Sequence, residues 1–169
     1  VDQGMEAYDK EGRLYYKYGG DYGVDMSSDG NFLCNGLVNP DRTPHPALAE
    51  VKYVHQNFAF EAVDLSTGVF RIINRQYFSN TDDYTFRYTI TENGKNISEG
   101  MLQVSLRPQQ TTEVSLPVGK LQPKPGMEYF VNFEVIQKEA APLIPAGYIV
   151  AIEQFKLPLS IPKQAYTGN

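Results

Sequence analysis

The sequence predicts a mainly β chain: an antiparallel β-sandwich of immunoglobulin-like type, preceded by a loop-rich segment and one helix. Three observations carry this. From about residue 59 to 157 apolar residues alternate with period two, the period of a strand with one buried face. That stretch breaks into about seven short runs, each ended by turn residues, as in a two-sheet sandwich. Residues 1–45, by contrast, are crowded with Gly, Asp, Asn and Tyr, which marks irregular loop.

The elements follow in order. Arg13-Leu14-Tyr15-Tyr16-Lys17-Tyr18 reads as a short strand after the turn Asp9-Lys10-Glu11-Gly12. A helix starts at Pro46, whose missing N–H costs nothing in a first turn. Ala47, Leu48, Val51, Val54 and His55 recur at spacings near three and four, with His55 expected to be partly buried and the helix to stop near Asn57. Strand alternation begins at Phe58-Ala59-Phe60. Val69–Tyr77 and Tyr84–Thr91 are the next strands, and Glu92-Asn93-Gly94-Lys95 is a hairpin turn in which Asn-Gly suits positive φ. Asn96–Leu106 returns, with a bulge expected at Gly100. Thr111–Leu116 is short, Pro117–Gly126 is a connection, and Glu128–Ile136 and Tyr148–Leu157 complete the set. The expected core is Val69, Ile72, Phe86, Tyr88, Ile90, Leu102, Val104, Val114, Leu116, Phe130, Phe133, Val135, Ile152 and Phe155. There is no Cys–Trp–Cys set, so an antibody-type domain is excluded. From Pro158 onward the chain reads as a linker or frayed end.

Composition narrows the function classes. The 169 residues suffice for one ordinary domain or a small domain plus a piece of another. With 41% hydrophobic and 21% charged residues, wholesale disorder is excluded. A formal net charge of −5 gives no bulk attraction for phosphate backbones, so no nucleic-acid partner is expected. No apolar run approaches the roughly 20 residues of a membrane span, and no membrane partner is expected. One cysteine excludes an internal disulfide framework and a Cys-rich zinc site. The start at Val1 lacks both an initiator Met and the basic and apolar regions of a signal peptide, so it reads as an excised piece and leaves localisation undefined.

Several residues could carry chemistry, and each has a plainer reading. Asp82-Asp83, Asp21, Asp25 and Asp29 are carboxylate candidates, yet turn capping explains them. Adjacent acids on a strand would face opposite sides and could not share a substrate. Asp25, Asp29 and Asn31 have the alternate spacing of a calcium loop but lack the downstream Glu and the order of Gly. His45, between two prolines, reads as a hydrogen-bonder before the helix. Cys34, within Phe32-Leu33-Cys34, reads as a small buried residue. Tyr8, Tyr15, Tyr16, Tyr18 and Tyr22 read as packing against a surface outside this chain. Asn96-Ile97-Ser98 matches a glycosylation sequon of the kind that arises by chance.

The loop-rich segment resembles a known family. Val1-Asp2-Gln3, Tyr8-Asp9, Tyr18-Gly19-Gly20-Asp21-Tyr22-Gly23, Asn31-Phe32, Asn35-Gly36-Leu37-Val38 and Asp41-Arg42-Thr43-Pro44-His45-Pro46-Ala47-Leu48 occur in this order in the large β-galactosidases of glycoside hydrolase family two. The stretch from Gly147-Tyr148 to Glu153-Gln154-Phe155 also resembles the domain after their catalytic barrel. The resemblance implies that residues 1–58 are the C-terminal remnant of a (β/α)8 barrel, its long last loop plus last helix. Residues 59–157 are then the following sandwich, and residues 158–169 a linker or tail.

It further implies a parent that hydrolyses terminal β-D-galactosyl residues with retention, using two glutamates about 5–5.5 Å apart. Both would lie upstream of Val1, with a tryptophan pair just before it. Glu6, Glu11 and Glu50 match neither glutamate, so this chain is expected to be inactive alone. Two positions do carry over. Phe32, through its backbone carbonyl, and Asn35, through its side chain, match the residues that bind sodium and line the galactosyl 6-hydroxyl subsite. A further Asp ligand would come from upstream. Magnesium is implied for the parent as an option, with no ligand assigned here. The expected partners are a β-galactoside, reached through the intact parent, and a second copy of the chain. The alternative from another class is a noncatalytic sandwich that binds carbohydrate or a partner protein. Against it, a free-standing module has no use for a barrel loop and helix, and its aromatic platform would often hold Trp, of which there is none.

Overall fold

The computed structural model describes residues 4–25, 27 and 35–162. The chain divides into two units, Val1–His55 and Gln56–Asn169. The first holds strands β1 (Met5–Tyr8) and β2 (Leu14–Lys17), a 3-10 turn at Gly19–Tyr22, and helix α1 (Ala47–Val54). The second holds β3 (Phe58–Asp64), β4 (Val69–Asn74), β5 (Tyr84–Glu92), β6 (Lys95–Leu102), β7 (Thr111–Ser115), β8 (Tyr129–Gln137) and β9 (Ile149–Lys156), with a 3-10 turn at Pro117–Lys120.

The second unit is an antiparallel sandwich of two sheets, with orders β3-β4-β7 and β6-β5-β8-β9. Alternation explains the core. In β4 Phe70, Ile72 and Asn74 point inward, and in β8 Tyr129, Val131, Phe133, Val135 and Gln137 do. Rings from the two sheets interlock: Phe60 stacks on Phe133 with centroids 4.6 Å apart, and Phe70 meets Phe133 edge-on at 5.0 Å. Phe58 meets Phe86 edge-on at 5.4 Å. Burying each such ring contributes about 1.5–3 kcal/mol.

Tyr129 fixes the corner between β7 and β8. It is 1% exposed, its O–H donates to Glu92 Oε2 at 2.6 Å, and it accepts from the Lys124 backbone N–H at 3.0 Å. A tyrosine at the start of this strand, bonded back to the chain just upstream, is a hallmark of immunoglobulin-like sandwiches. Lys124 Nζ also meets Glu92 at 2.8 Å. That ammonium, and then the Tyr129 hydroxyl, hold the Glu92 carboxyl below its usual range.

The observed core departs from the expected one at three places. Val69, Phe130 and Ile152 were expected inside; Val69 and Phe130 are half-buried and Ile152 is exposed. The reason is parity. Val69 cannot share a face with Ile72, nor Phe130 with Phe133, nor Ile152 with Phe155, because odd separations on a strand point oppositely. Ile152 instead brings its backbone to Gln56, whose side chain accepts from Ile152 N at 3.0 Å and donates to Ile152 O at 3.1 Å. Tyr88, Leu102, Val104, Val114 and Phe155 are partly buried against the core, as expected.

Element ends also moved. α1 stops at Val54, short of Asn57, and His55 is its exposed cap rather than a partly buried residue. β4 ends at Asn74 instead of Tyr77, and β6 at Leu102 instead of Leu106. The register shift in the β5–β6 pair falls at Ile90/Thr91, opposite Asn96–Ser98, and not at Gly100. Gly100 serves another purpose: a Cβ there would lie 2.7 Å from Tyr88 Cε1, so the ring lies flat where a side chain would stand. Past β9, Leu159 packs on the core and Ile161 pairs with Pro125, so residues 158–162 run along the sandwich.

Candidate functional site

The first unit carries the residues singled out from sequence. Its hairpin is closed by Asp9. The carboxylate accepts the backbone N–H groups of Glu11 and Arg13 at 3.0 and 2.8 Å, and Arg13 Nε at 2.7 Å. The Arg13 N–H is the leading reason that the Asp9 carboxyl lies below its ordinary range. Four residue pairs from Met5↔Lys17 to Tyr8↔Leu14 form the ladder. The expected strand after Gly12 is present. Its partner β1 was not anticipated, because Met5-Glu6-Ala7-Tyr8 is only 4 residues long and too short for a period to show.

Residues 35–46 form a tight loop that sets the start of α1. Asn39 N–H donates to Thr43 O at 2.8 Å, and His45 N–H to Leu37 O at 2.9 Å. Asp41 Oδ1 accepts the Thr43 hydroxyl at 2.6 Å and its N–H at 2.9 Å. That hydroxyl is the first cause holding the Asp41 carboxyl below its usual range. Asn39 bridges both sides: its Nδ2 donates to Thr43 Oγ1 at 3.0 Å, and its Oδ1 meets His45 Nε2. The His45 carbonyl then accepts Leu48 N–H at 2.9 Å, inside the first helical turn. His45 thus has the structural role expected of it, and Asn39 is the partner that sequence reading missed. The available signal was Asn-Pro-Asp-x-Thr, a side-chain turn followed by a helix start.

Asn35, at the head of this loop, is exposed. Its neutral amide oxygen is the kind of donor a hard monovalent cation accepts. Phe32, Cys34, Asp29 and Asn31 lie outside the described residues. Glu6, Glu11 and Glu50 are all exposed, on β1, in the hairpin turn and on α1 respectively, and Glu11 pairs with Arg13 at 3.1 Å. Asp21 caps its 3-10 turn by accepting the Tyr18 N–H at 3.1 Å, and Asp25 is exposed. Asp82 and Asp83 sit in a turn before β5 and not on a strand. Asp82 Oδ2 accepts Asn80 Nδ2 at 2.7 Å, and the Asp83 carbonyl accepts Lys138 N–H at 2.9 Å. Among the described residues there is no group of three or more His, Cys, Asp or Glu that could hold a metal ion.

Of the tyrosine cluster, Tyr8, Tyr15 and Tyr22 are exposed and Tyr16 and Tyr18 half-buried. Tyr77, expected to end a strand, and its neighbour Phe78, to which the sequence assigned no role, are both exposed. Their setting, Arg75-Gln76 before and Ser79-Asn80 after, was the signal of a turn.

Comparison with known proteins agrees with this division of the chain. The family profile described as "Glycosyl hydrolases family 2, TIM barrel domain" matches residues 1–60, and that described as "Beta-galactosidase, domain 4" matches residues 70–158. The chain is 37% identical over 171 residues to "Beta-galactosidase 2" of Enterobacter cloacae, covering 100% of the chain and 16% of the relative. It is 35% identical over 171 residues to a β-galactosidase of Photobacterium profundum, covering 96% and 16%. A β-galactosidase of Leuconostoc mesenteroides is 36% identical over 160 residues, covering 93% and 15%. The chain therefore spans 16% of the length of the first two of these curated relatives.

Proposed function

Because the chain belongs to the β-galactosidases of glycosyl hydrolase family 2, we propose that it works as one part of a longer β-galactosidase rather than as an enzyme by itself. One observation carries this: on a single chain, a barrel match over residues 1–60 is followed by a domain 4 match over residues 70–158. In this reading residues 1–58 are the last loop and helix of a catalytic barrel, and the sandwich at 59–157 is the spacer that follows it.

The longer protein hydrolyses terminal β-D-galactosyl residues with retention. Two glutamates on earlier barrel strands act as acid/base and nucleophile, at the separation of about 5–5.5 Å that retention needs. The present chain contributes at the edge of that site. Asn35 offers an amide oxygen, and Phe32 a carbonyl, to a sodium ion beside the galactosyl 6-hydroxyl. A bound sodium ion would supply a fixed positive charge that orients a sugar oxygen. What the chain does toward it is geometric: the loop from Leu37 to His45, just past Asn35, is held by Asn39, Asp41 and Thr43 before any substrate arrives. Magnesium has no proposed ligand in this chain.

The test is turnover of a chromogenic β-galactoside. The purified chain is expected to show none, and a longer polypeptide that supplies the upstream barrel is expected to be active. In that longer polypeptide Asn35→Ala should raise the sodium concentration needed for half-maximal rate. Turnover by the chain alone, lost in a site variant, would overturn its noncatalytic role. A longer polypeptide inert toward every galactoside tried would overturn the activity.

A further inference from the structure

Asparagine is followed by glycine at two places in this chain, Asn35-Gly36 and Asn93-Gly94. The pair is reactive. Glycine has no Cβ to shield its backbone nitrogen, so that nitrogen can reach the side-chain amide carbon of the residue before it. The two pairs contain the same atoms in very different surroundings.

Asn93-Gly94 is clamped. It forms the turn between β5 and β6, with φ of 45° and 79°, the left-handed pair that a tight hairpin favours. The Asn93 side chain is held at both ends: Oδ1 accepts the Glu128 N–H at 2.8 Å, and Nδ2 meets Met127 Sδ at 3.0 Å. The Asn93 N–H also donates to Glu128 O at 2.9 Å, and Glu92 pairs with Lys95 across the turn. To bring its amide carbon over the Gly94 nitrogen, Asn93 must give up both side-chain bonds within a turn fixed on either side.

Asn35 has no such clamp. It lies outside any strand or helix and is exposed. Among the described residues no partner holds its side chain. The closure of the following loop begins beyond the pair, where the Leu37 carbonyl accepts His45 N–H at 2.9 Å and Val38 bridges Pro44. Asn39, in the same loop, is followed by Pro40, whose nitrogen has no proton to give up.

We propose that Asn35 is a self-modification site, deamidated by the backbone nitrogen of Gly36, while the fold protects Asn93. In the first step the Gly36 nitrogen loses its proton and bonds to the Asn35 side-chain carbonyl carbon, and the amide nitrogen leaves as ammonia. Water then opens the resulting five-membered imide at either of its carbonyls. Attack at the former side-chain carbonyl gives Asp. Attack at the main-chain carbonyl gives isoaspartate, in which the main chain runs through the former side chain. No oxidant or cofactor enters, and either product carries one more negative charge than Asn35. The modification is independent of the β-galactosidase activity proposed above.

The experiment holds the chain at mildly alkaline pH, which favours loss of the Gly36 proton, in native buffer and in guanidinium chloride. Peptides containing each pair are then resolved into Asn, Asp and isoaspartyl forms by mass spectrometry and isoaspartyl methyltransferase labelling. In the native chain the Asn35 peptide is expected to convert about tenfold or more faster than the Asn93 peptide, since each bond that must break first slows the step. In guanidinium chloride the two rates should converge, because only the shared Asn-Gly chemistry remains. Gly36→Ala should slow conversion at Asn35 and leave Asn93 unchanged. Equal native rates would overturn the proposal, as would an Asn35 that converts in guanidinium chloride and not in the native chain. A native difference that persists undiminished in denaturant would overturn it too, since neighbouring sequence and not the fold would then sort the two sites. The sodium role of Asn35 has a separate readout. In the longer polypeptide Asn35→Asp puts a charged oxygen in place of a neutral one and should alter the sodium concentration needed for half-maximal rate. An unaltered requirement would count against that role and leave the modification standing.

Discussion

Asn74 and Thr81 are fully buried polar residues within an aromatic core, and each is tolerated because its polar atoms are bonded to backbone. Removing one partner should therefore cost more than the bond contributes. Asn74→Ala strands the Gln76 N–H and two loop carbonyls, and should lower unfolding stability by about 2–3 kcal/mol, read as a reduced urea midpoint. Asp64 makes a different prediction. Its carboxylate accepts the Ser66 hydroxyl at 2.6 Å and the Ser66 and Thr67 N–H groups at 2.8 and 3.3 Å. The Ser66 hydroxyl, then that of Thr67, lowers its pKa from 3.8 to about 2. A depressed carboxyl pKa stabilises the fold above the unfolded value and ceases to do so as pH falls through the folded one. Asp64→Asn should thus flatten the fall in stability between pH 3.8 and about 2 while leaving the slope above that window unchanged, measured by urea titrations at stepped pH. Individual site residues were legible to different depths. His45 between two prolines announced a structural role, but its partner Asn39 did not, because the bond depends on a loop closing over six positions. Phe32 lies outside the described residues, and its part in the site remains with the proposal.

At the scale of elements, the β3–β4 hairpin depends on Gly68. Its φ is +78°, and a Cβ there would lie 2.6 Å from Val118 Cγ2 and 2.8 Å from the Leu116 carbonyl. Gly68→Ala meets both backbone strain and a closed space, and should destabilise by about 2 kcal/mol or more. By contrast, at Gly94, also at positive φ (79°) but with nothing within 4 Å, only the strain applies, and the loss should be smaller. Chemical denaturation of the two variants side by side tests that order. The hairpins and sheets were readable because period two and Asn-Gly are local signals, and all seven sandwich strands fall within a few residues of where the sequence put them. Strand ends were not readable where a side chain captured backbone from elsewhere: Asn74 ends β4 by bonding residues from the following loop and from Arg107. The misplaced core positions Val69, Phe130 and Ile152 were avoidable, since parity within a strand excludes each from the face of its neighbour.

At the scale of the whole chain, stability is unevenly spread between the two units. Among the described residues of Val1–His55 none is buried. The unit rests on a hairpin of two four-residue strands, the Asn39–His45 loop and a helix of 8 residues. A two-stranded hairpin is marginal in water, and an isolated helix shorter than about 12 residues is too. The sandwich instead buries Phe58, Phe70, Ile72, Phe86, Ile90, Val131, Phe133 and Val135 to 1% exposure or less. Local opening in the first unit therefore exposes little apolar surface, whereas opening β5 or β8, the inner strands of the four-stranded sheet, requires taking the core apart. Native-state hydrogen exchange should show this directly. Amides of β5 and β8 are expected to exchange last and to follow global unfolding as urea is added. Amides of β1, β2 and α1 should exchange orders of magnitude faster, with little urea dependence, because opening them exposes little new surface. If β1, β2 and α1 instead matched β5 and β8 in both rate and urea dependence, the chain would unfold as one cooperative body, and the division of stability argued from burial would be wrong.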